Sequence, residues 1–436
     1  MLRRYRVLVI AEQANPEWVS VPLVGWMQTC ALERVCDVHL VTHIRNKEAI
    51  DRTSFPRERI TYIEPGLTQS FLNWASSFVS QKGGWTTKNV LKLPMYYAFE
   101  LRTWKLFKKA LAAGEYDVVH RITPLSPAVP SLIVNRLRAI NIPFVLGPIN
   151  GGLKWPEGFK HIQHQEREWL TPFRKLKNFL PYMRSMMKHT RAILVGSNAA
   201  FEDVHPDLRS KCFYIPENGI LPQDYKDSAS YSRQGPMRVA FVGRLVPLKC
   251  VDIILEACAP SIRLGKTEVH IIGDGPERES LENLARELTQ GQGIVFHGWV
   301  PHSQVRSELV RNQVFAFPSI KEFGGGAVIE AMGLGLVPIV ANYGGIAEVV
   351  RPDCGFHIAL SNRDGMVQAM QAVIDQLLNN PVQIQTLGTK ARQRILEYYS
   401  WDHKAQQMLD VYAWVTGQVA ERPAYDPPTD ALKSAG

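Results

Sequence analysis

Short apolar runs rich in β-branched residues recur along the chain, each followed by a longer mixed stretch. In the first half they are YRVLVIA (5–11), DVHLVT (37–42), YDVVH (116–120), PFVLGPI (143–149) and AILVGS (192–197). The pattern restarts with MRVAFVGRL (237–245), EVHIIGDG (268–275), GIVFHGWV (293–300), VFAFPSI (314–320) and VPIVANYGG (337–345). Runs of this kind suit strands buried on both faces, and helix-length spacers between them are the crossovers of a parallel sheet. Two successive series predict two doubly wound α/β domains. A length of 436 residues, more than one core usually organises, agrees. Between the series, KDSASYSRQGP (226–236) is polar and not helical and marks the boundary region, while the terminal RPAYDPPTDALKSAG reads as a disordered tail.

The stretch SIKEFGGGAVIEAMGLGLVPIV (319–340) carries candidate chemistry. Ala327, Val328, Ala331, Met332 and Leu334 recur at helical spacing, so Gly324, Gly325 and Gly326 fall at a helix N-terminus. Such an end presents unpaired N–H groups and the positive pole of the helix dipole, and glycine lets a bulky anion approach the backbone. Glu322 precedes this point and Glu330 lies one turn beyond it, roughly 6 to 10 Å further at about 1.5 Å per residue. Carboxylates accept hydrogen bonds from hydroxyls. A diphosphate flanked by hydroxyl-bearing groups, as in a nucleotide-diphosphate sugar, matches the layout. A capping acid with a second acid on a solvated face is the simpler alternative for this spacing taken by itself. Other candidates lie just after predicted strands, where open α/β sheets bind ligands: Arg244, Lys249, Asp274, Gly275 and the FHGWV segment. An arginine fork and a lysine point charge together can neutralise a diphosphate.

Charge adds a second theme. Residues 82–109 carry seven Lys/Arg against one acid and residues 154–191 nine against three, whereas the whole chain has a net charge of +9. Both segments hold aromatic residues, among them Trp85, Tyr96, Trp104, Trp169 and Phe173. Basic helices with aromatic faces fit an anionic membrane surface or an acidic acceptor, and equally a pair of solvated helices packed by those aromatics. No nucleic-acid motif accompanies the charge. The six cysteines form no C-x-x-C pair or His/Cys ligand spacing, which argues against structural zinc or a disulfide framework and suggests a reducing cytoplasm. The VLVIA run is too short for a signal peptide, and no stretch reaches the 18 apolar residues of a spanning helix.

With these residues in place, the second half resembles the retaining GT-B glycosyltransferases of family 4, a group that includes many bacterial polysaccharide and glycolipid enzymes. The resemblance rests on FVGRLVPLK, IIGDGPE, FHGWV, FPSIKEFGGGAVIEAMGLGLVPIVANYGGIAEVV and YYSWDHKAQQMLDVY, spanning roughly residues 240–413. It implies two Rossmann-like domains facing each other across a cleft: an acceptor-side domain over 1–216 and a donor domain over 217–398. A helix over 399–420 would cross back to the first domain, ahead of a tail over 421–436. It implies further that Glu322 meets the donor-sugar hydroxyls, with Phe323 beside it, and that Gly324, Gly325 and Gly326 meet the diphosphate. Glu330 would hold the ribose, Arg244 and Lys249 the phosphates with Gly275 alongside, and the backbone near Val300 the base. His120, expected at a strand end, would lie near the transferred sugar. Where relatives carry a glycine pair after the first strand, this chain has only Gly25; Gly151 and Gly152 are candidates to line the acceptor side instead.

The expected function is retaining transfer of a sugar from a UDP- or GDP-sugar to a lipid-linked or other anionic acceptor in polysaccharide or glycoconjugate synthesis. The place expected is the cytoplasmic face of the cell membrane. The chain has no D-x-D sequence, so no metal or other cofactor is expected, and Arg244, Lys249 and the helix N-terminus would stabilise the leaving diphosphate. If configuration is retained, the leaving phosphate itself could take the acceptor proton. Alternatives are a related enzyme with a soluble acceptor, such as a sugar-phosphate synthase, and a non-catalytic nucleotide-sugar sensor.

Overall fold

The computed structural model describes residues 4–64, 93–156, 158–159, 162–163, 182–229 and 235–428. Seven parallel strands form a first sheet: β1 (Arg6–Ala11), β2 (Asp37–His43), β3 (Ile60–Ile63), β4 (Val118–Thr123), β5 (Phe144–Ile149), β6 (Ala192–Val195) and β7 (Cys212–Tyr214). Their order is β3-β2-β1-β4-β5-β6-β7, so the chain winds outward from β1, returns, and winds the other way from β4. Helix α1 (Val21–Glu33) covers one face, and α2 (Leu93–Ala112), α3 (Val134–Ala139) and α4 (Met183–His189) contribute to the core on the other. The second sheet holds β8 (Met237–Val242), β9 (Thr267–Ile272), β10 (Ile294–Gly298), β11 (Val314–Phe317), β12 (Val337–Ala341) and β13 (Phe356–Ile358), in the order β10-β9-β8-β11-β12-β13. Its helices include α5 (Val251–Arg263), α6 (His302–Leu309), α7 (Gly326–Gly333), α8 (Arg363–Asn379) and α9 (Pro381–Tyr398).

The chain divides into two units, 1–152 with 167–217 and 401–427, and 153–166 with 218–400 and 428–436. The last helix, α10 (Trp401–Val415), thus belongs to the first unit, where Met408, Val411 and Tyr412 pack into the core under β1. Residues 153–166, counted in the sequence with the first domain, belong to the second: Phe159 and Ile162 enter its core, and the Lys321 ammonium sits 4.3 Å from the centroid of Trp155. All ten runs read as strands form strands. The three further strands, β3, β7 and β13, have only four, three and three residues and lie at sheet edges, too short to stand out as apolar runs.

The C-terminal segment departs from the expected disordered tail. The Arg422 guanidinium lies 4.5 Å from the Phe213 ring centroid and donates to the carbonyls of Ser210 and Cys212. The Tyr214 N–H donates to the Tyr425 carbonyl at 2.7 Å, so this segment satisfies part of the open edge of β7. Residues 429–436 lie outside the described residues, as do 82–92 and 164–181 of the two basic segments.

Candidate functional site

In the second sheet β8 feeds β9 and β10 to one side and the chain then returns to place β11 against the other side of β8, which makes β8/β11 the switch point where α/β sheets open a crevice beyond their strand ends. The loops there are tied to one another. Gly243 N–H donates to Ile272 O at 3.0 Å, Leu245 N–H to Asp274 O at 3.0 Å, and Gly273 N–H to Gly298 O at 2.8 Å. A Cβ on Gly273, whose φ is +139°, would lie 1.9 Å from the Gly243 carbonyl oxygen, so only glycine permits this approach. Gly275 lies in the same layer against Leu245.

Arg244 leaves this layer exposed, and its side chain makes no hydrogen bond or ion pair among the described residues. Lys249 closes the turn Pro247–Lys249; its ammonium lies 4.7 Å from the Phe317 ring centroid and donates to Glu322 Oε2. The pair joins the loop after β8 to the loop after β11. Backbone ties hold both partners: Ile320 N–H and Ser319 Oγ donate to Leu248 O at 3.1 and 3.2 Å, and Gly345 N–H donates to Glu322 O at 3.2 Å. A Cβ on Gly345 would meet the Phe323 oxygen at 1.6 Å, so the glycines after β12 let that strand-end loop seat the Glu322–Gly325 loop.

Gly325, at φ +56°, is the N-cap of α7 and supplies no capping side chain, so the N–H groups of Gly326, Ala327 and Val328 have no acceptor within the helix. Gly324 precedes this cap and is buried. One turn into α7, Glu330 Oε1 lies 2.9 Å from His302 Nε2 at the start of α6, and this bond raises the His302 pKa above its ordinary value. Tyr225 stands nearby, its phenol pushed up by burial and then by Glu330, with the Arg306 guanidinium 5.4 Å from its ring centroid. Val300, after β10, packs half-buried on the core beside the exposed Trp299. The predicted residues of the second half therefore gather at adjoining strand ends. His302, two positions after Val300, joins them through Glu330, and Lys249 pairs with Glu322; neither contact follows from the sequence pattern.

The first unit treats its candidates differently. His120 does not stand at a strand end. It lies three residues inside β4, fully buried, with Nδ1 2.6 Å from the Tyr412 hydroxyl of α10 and Nε2 2.7 Å from the Gly147 carbonyl. Burial pushes its pKa down to about 4, so the ring is neutral and both nitrogens are engaged. Gly25 sits in α1 rather than in the loop after β1, and a Cβ there would meet the Gln13 oxygen at 2.1 Å. Gly151 and Gly152 do follow β5, and Gly152 abuts the Ala199 carbonyl. Beside them Asn150 bonds Glu217 and accepts from Ser197 Oγ at 3.0 Å, while the buried Lys404 donates to Pro216 O and lies close to Glu217.

The charged residues exposed on α2, α3 and α4 are all basic. Arg102, Lys105, Lys108 and Lys109 are exposed on α2 beside Leu101 and Leu106, and Arg136, Arg138, Arg184 and Lys188 are exposed on α3 and α4. The one acid in these helices, Glu100, is buried, accepting from Ser131 Oγ, Leu132 N–H and Tyr96. The helices adjoin: the Arg136 guanidinium lies 5.6 Å from the Trp104 ring centroid, and Arg138 meets His189 of α4 at 2.8 Å. Among the described residues no helix is long and apolar enough to cross a membrane.

Residues 224–394 match the family described as glycosyl transferases group 1. Over 207 residues the chain is 26% identical to the phosphatidylinositol N-acetylglucosaminyltransferase gpi3 subunit of Schizosaccharomyces pombe, a match covering 47% of this chain and 44% of that one. The chain spans about half the length of the curated relatives it matches. Among solved structures, a sucrose-phosphate synthase from Thermosynechococcus elongatus superposes with a TM-score of 0.63 at 18% identity, covering 95% of this chain and 100% of that chain. Anabaena Alr3699/HepE in complex with UDP superposes with a TM-score of 0.60 at 16% identity, covering 94% and 99%. These likenesses show the fold, two Rossmann-like parallel-sheet domains of the GT-B kind.

Proposed function

From a chain whose residues 224–394 form a glycosyltransferase group 1 domain, we propose an enzyme that transfers a sugar, with retention, from a UDP- or GDP-sugar to a lipid-linked or other anionic acceptor at the inner face of the cell membrane. The observation that carries the donor half is the convergence of Arg244, the Lys249–Glu322 pair and the uncapped N-terminus of α7 at one switch point. In this reading Arg244, Lys249 and the α7 N–H groups hold the diphosphate, Glu330 takes the ribose and Glu322 the sugar hydroxyls. The bond between the anomeric carbon and the β-phosphate oxygen breaks, the acceptor oxygen bonds that carbon, and the acceptor proton passes to the leaving diphosphate. Charge appearing on that group is met by fixed protein donors rather than by a metal ion. His120 takes no part, since neither ring nitrogen is free to meet a sugar.

The basic, acid-free surface of α2, α3 and α4 supports the anionic acceptor, because each exposed cation near an anionic membrane adds roughly 1 kcal/mol of attraction within a Debye length. The test has two arms. A thermal-shift panel of UDP, GDP, ADP and CDP sugars is expected to raise the melting temperature for one base. Vesicles with anionic lipid are expected to cosediment the protein at low salt, and Lys105→Gln, Lys108→Gln and Lys109→Gln together to release it without changing donor affinity. A panel with no stabilising nucleotide sugar rejects the donor reading, and equal cosedimentation of wild type and variant shifts the acceptor to the soluble class.

A further inference from the structure

Resting on that donor site, we propose that the Lys249–Glu322 pair lets it discriminate between a sugar-bearing diphosphate and the bare nucleoside diphosphate left after transfer. Glu322 pairs with Lys249, with 15% of the Lys249 and 22% of the Glu322 side chain exposed. The backbones cannot draw apart, because Leu248 is tied to Ser319 and Ile320 and the Glu322 carbonyl to Gly345. A phosphate that takes Lys249 must therefore leave the Glu322 carboxylate close by, without its cation.

The two nucleotides meet that carboxylate differently. An intact donor places sugar hydroxyls next to its β-phosphate, and these donate to Glu322 in place of the lysine. The bare diphosphate has no such hydroxyl, and its terminal phosphate carries one more negative charge, so the carboxylate repels it at short range. Glu322 then regains Lys249 and the product is expelled. Arg244, which has no ion-pair partner among the described residues, attracts both nucleotides and does not discriminate. Glu322 thus sets donor-over-product preference as well as positioning the sugar.

The test is calorimetry on the full chain with UDP against UDP-glucose and GDP against GDP-mannose, for wild type, Glu322→Gln, Lys249→Gln and the double variant. Removing the carboxylate charge is expected to tighten the bare diphosphate by roughly three- to tenfold while weakening the sugar nucleotide, so the ratio of the two dissociation constants moves by more than about tenfold. Lys249→Gln is expected to weaken both ligands, and adding Glu322→Gln to it to restore part of the affinity for the bare diphosphate. Glu322→Ser, smaller and uncharged, is expected to move the ratio the same way and serves if Glu322→Gln melts early. Unchanged or weaker binding of the bare diphosphate by a folded Glu322 variant overturns the inference while leaving the donor site standing. Wild type that binds none of the four nucleotides overturns both.

Discussion

The two sheets share one architecture and handle the same place in it in opposite ways. In the second unit the switch point between β8 and β11 is spanned by Lys249 and Glu322, two ionic side chains that a charged ligand can part, with Arg244 and the uncapped α7 alongside. In the first unit the corresponding point between β1 and β4 is filled by the chain itself. Gln13 N–H donates to Thr123 Oγ1 at 3.0 Å, Thr123 donates back to the Gln13 carbonyl at 3.2 Å, and α1 presses Gly25 onto that carbonyl. The polar groups around it are likewise turned inward: His120 to Tyr412, and Asn150 to Glu217 near Lys404. The same topology thus leaves an ion pair between the strand-end loops of one unit and a hydrogen-bonded joint between those of the other.

The largest effect expected from this contrast is on turnover. Arg244→Ala removes an exposed cation that makes no side-chain hydrogen bond or ion pair among the described residues, so nucleoside diphosphate release from the donor is expected to fall on the order of 10²-fold with the melting temperature unchanged. Equal activity in the variant would place the diphosphate elsewhere.

Next comes the pH dependence of the first unit. Burial pushes the Lys404 pKa down to about 7, against about 10.4 in an unfolded chain. Between these values the unfolded state binds the proton and the folded state does not, so this residue makes stability rise with pH; below about 7 both states are protonated and the penalty is constant. Lys404→Met removes the slope. The stability of wild type relative to the variant is expected to increase by on the order of 2 kcal/mol from pH 7 to pH 9 in denaturant titrations. A constant difference would mean that Lys404 stays charged beside Glu217.

A smaller effect separates the two switch points directly. Thr123→Val deletes both hydrogen bonds to Gln13 and is expected to cost about 1–2 kcal/mol of stability with nucleotide affinity unaltered. A variant of full stability and impaired nucleotide binding would reverse the assignment of joint and site.

The contrast also explains what could be read from the residues. The second unit was legible because its candidate residues are placed by local sequence: Gly324 to Gly326 announce the N-terminus of α7, and Arg244, Lys249 and Gly275 follow closely on apolar runs. The Lys249–Glu322 and His302–Glu330 pairs were not legible, since each joins residues brought together only by strand order. His120 misled because a histidine in an apolar run looks the same whether its ring meets solvent or a tyrosine 292 positions away. The C-terminal segment misled for a related reason: its prolines and polar residues suit a tail, yet Arg422 and Tyr425 are anchored on β7, an edge strand too short to be noticed.

Amide hydrogen exchange with and without a saturating nucleotide sugar tests the central claim most directly. The account predicts new protection confined to residues 244–249 and 322–330, with residues 12–15 and 120–125 already slow and unchanged. Protection that appears at 12–15 and 120–125, or fails to appear at the α7 N-terminus, would contradict it.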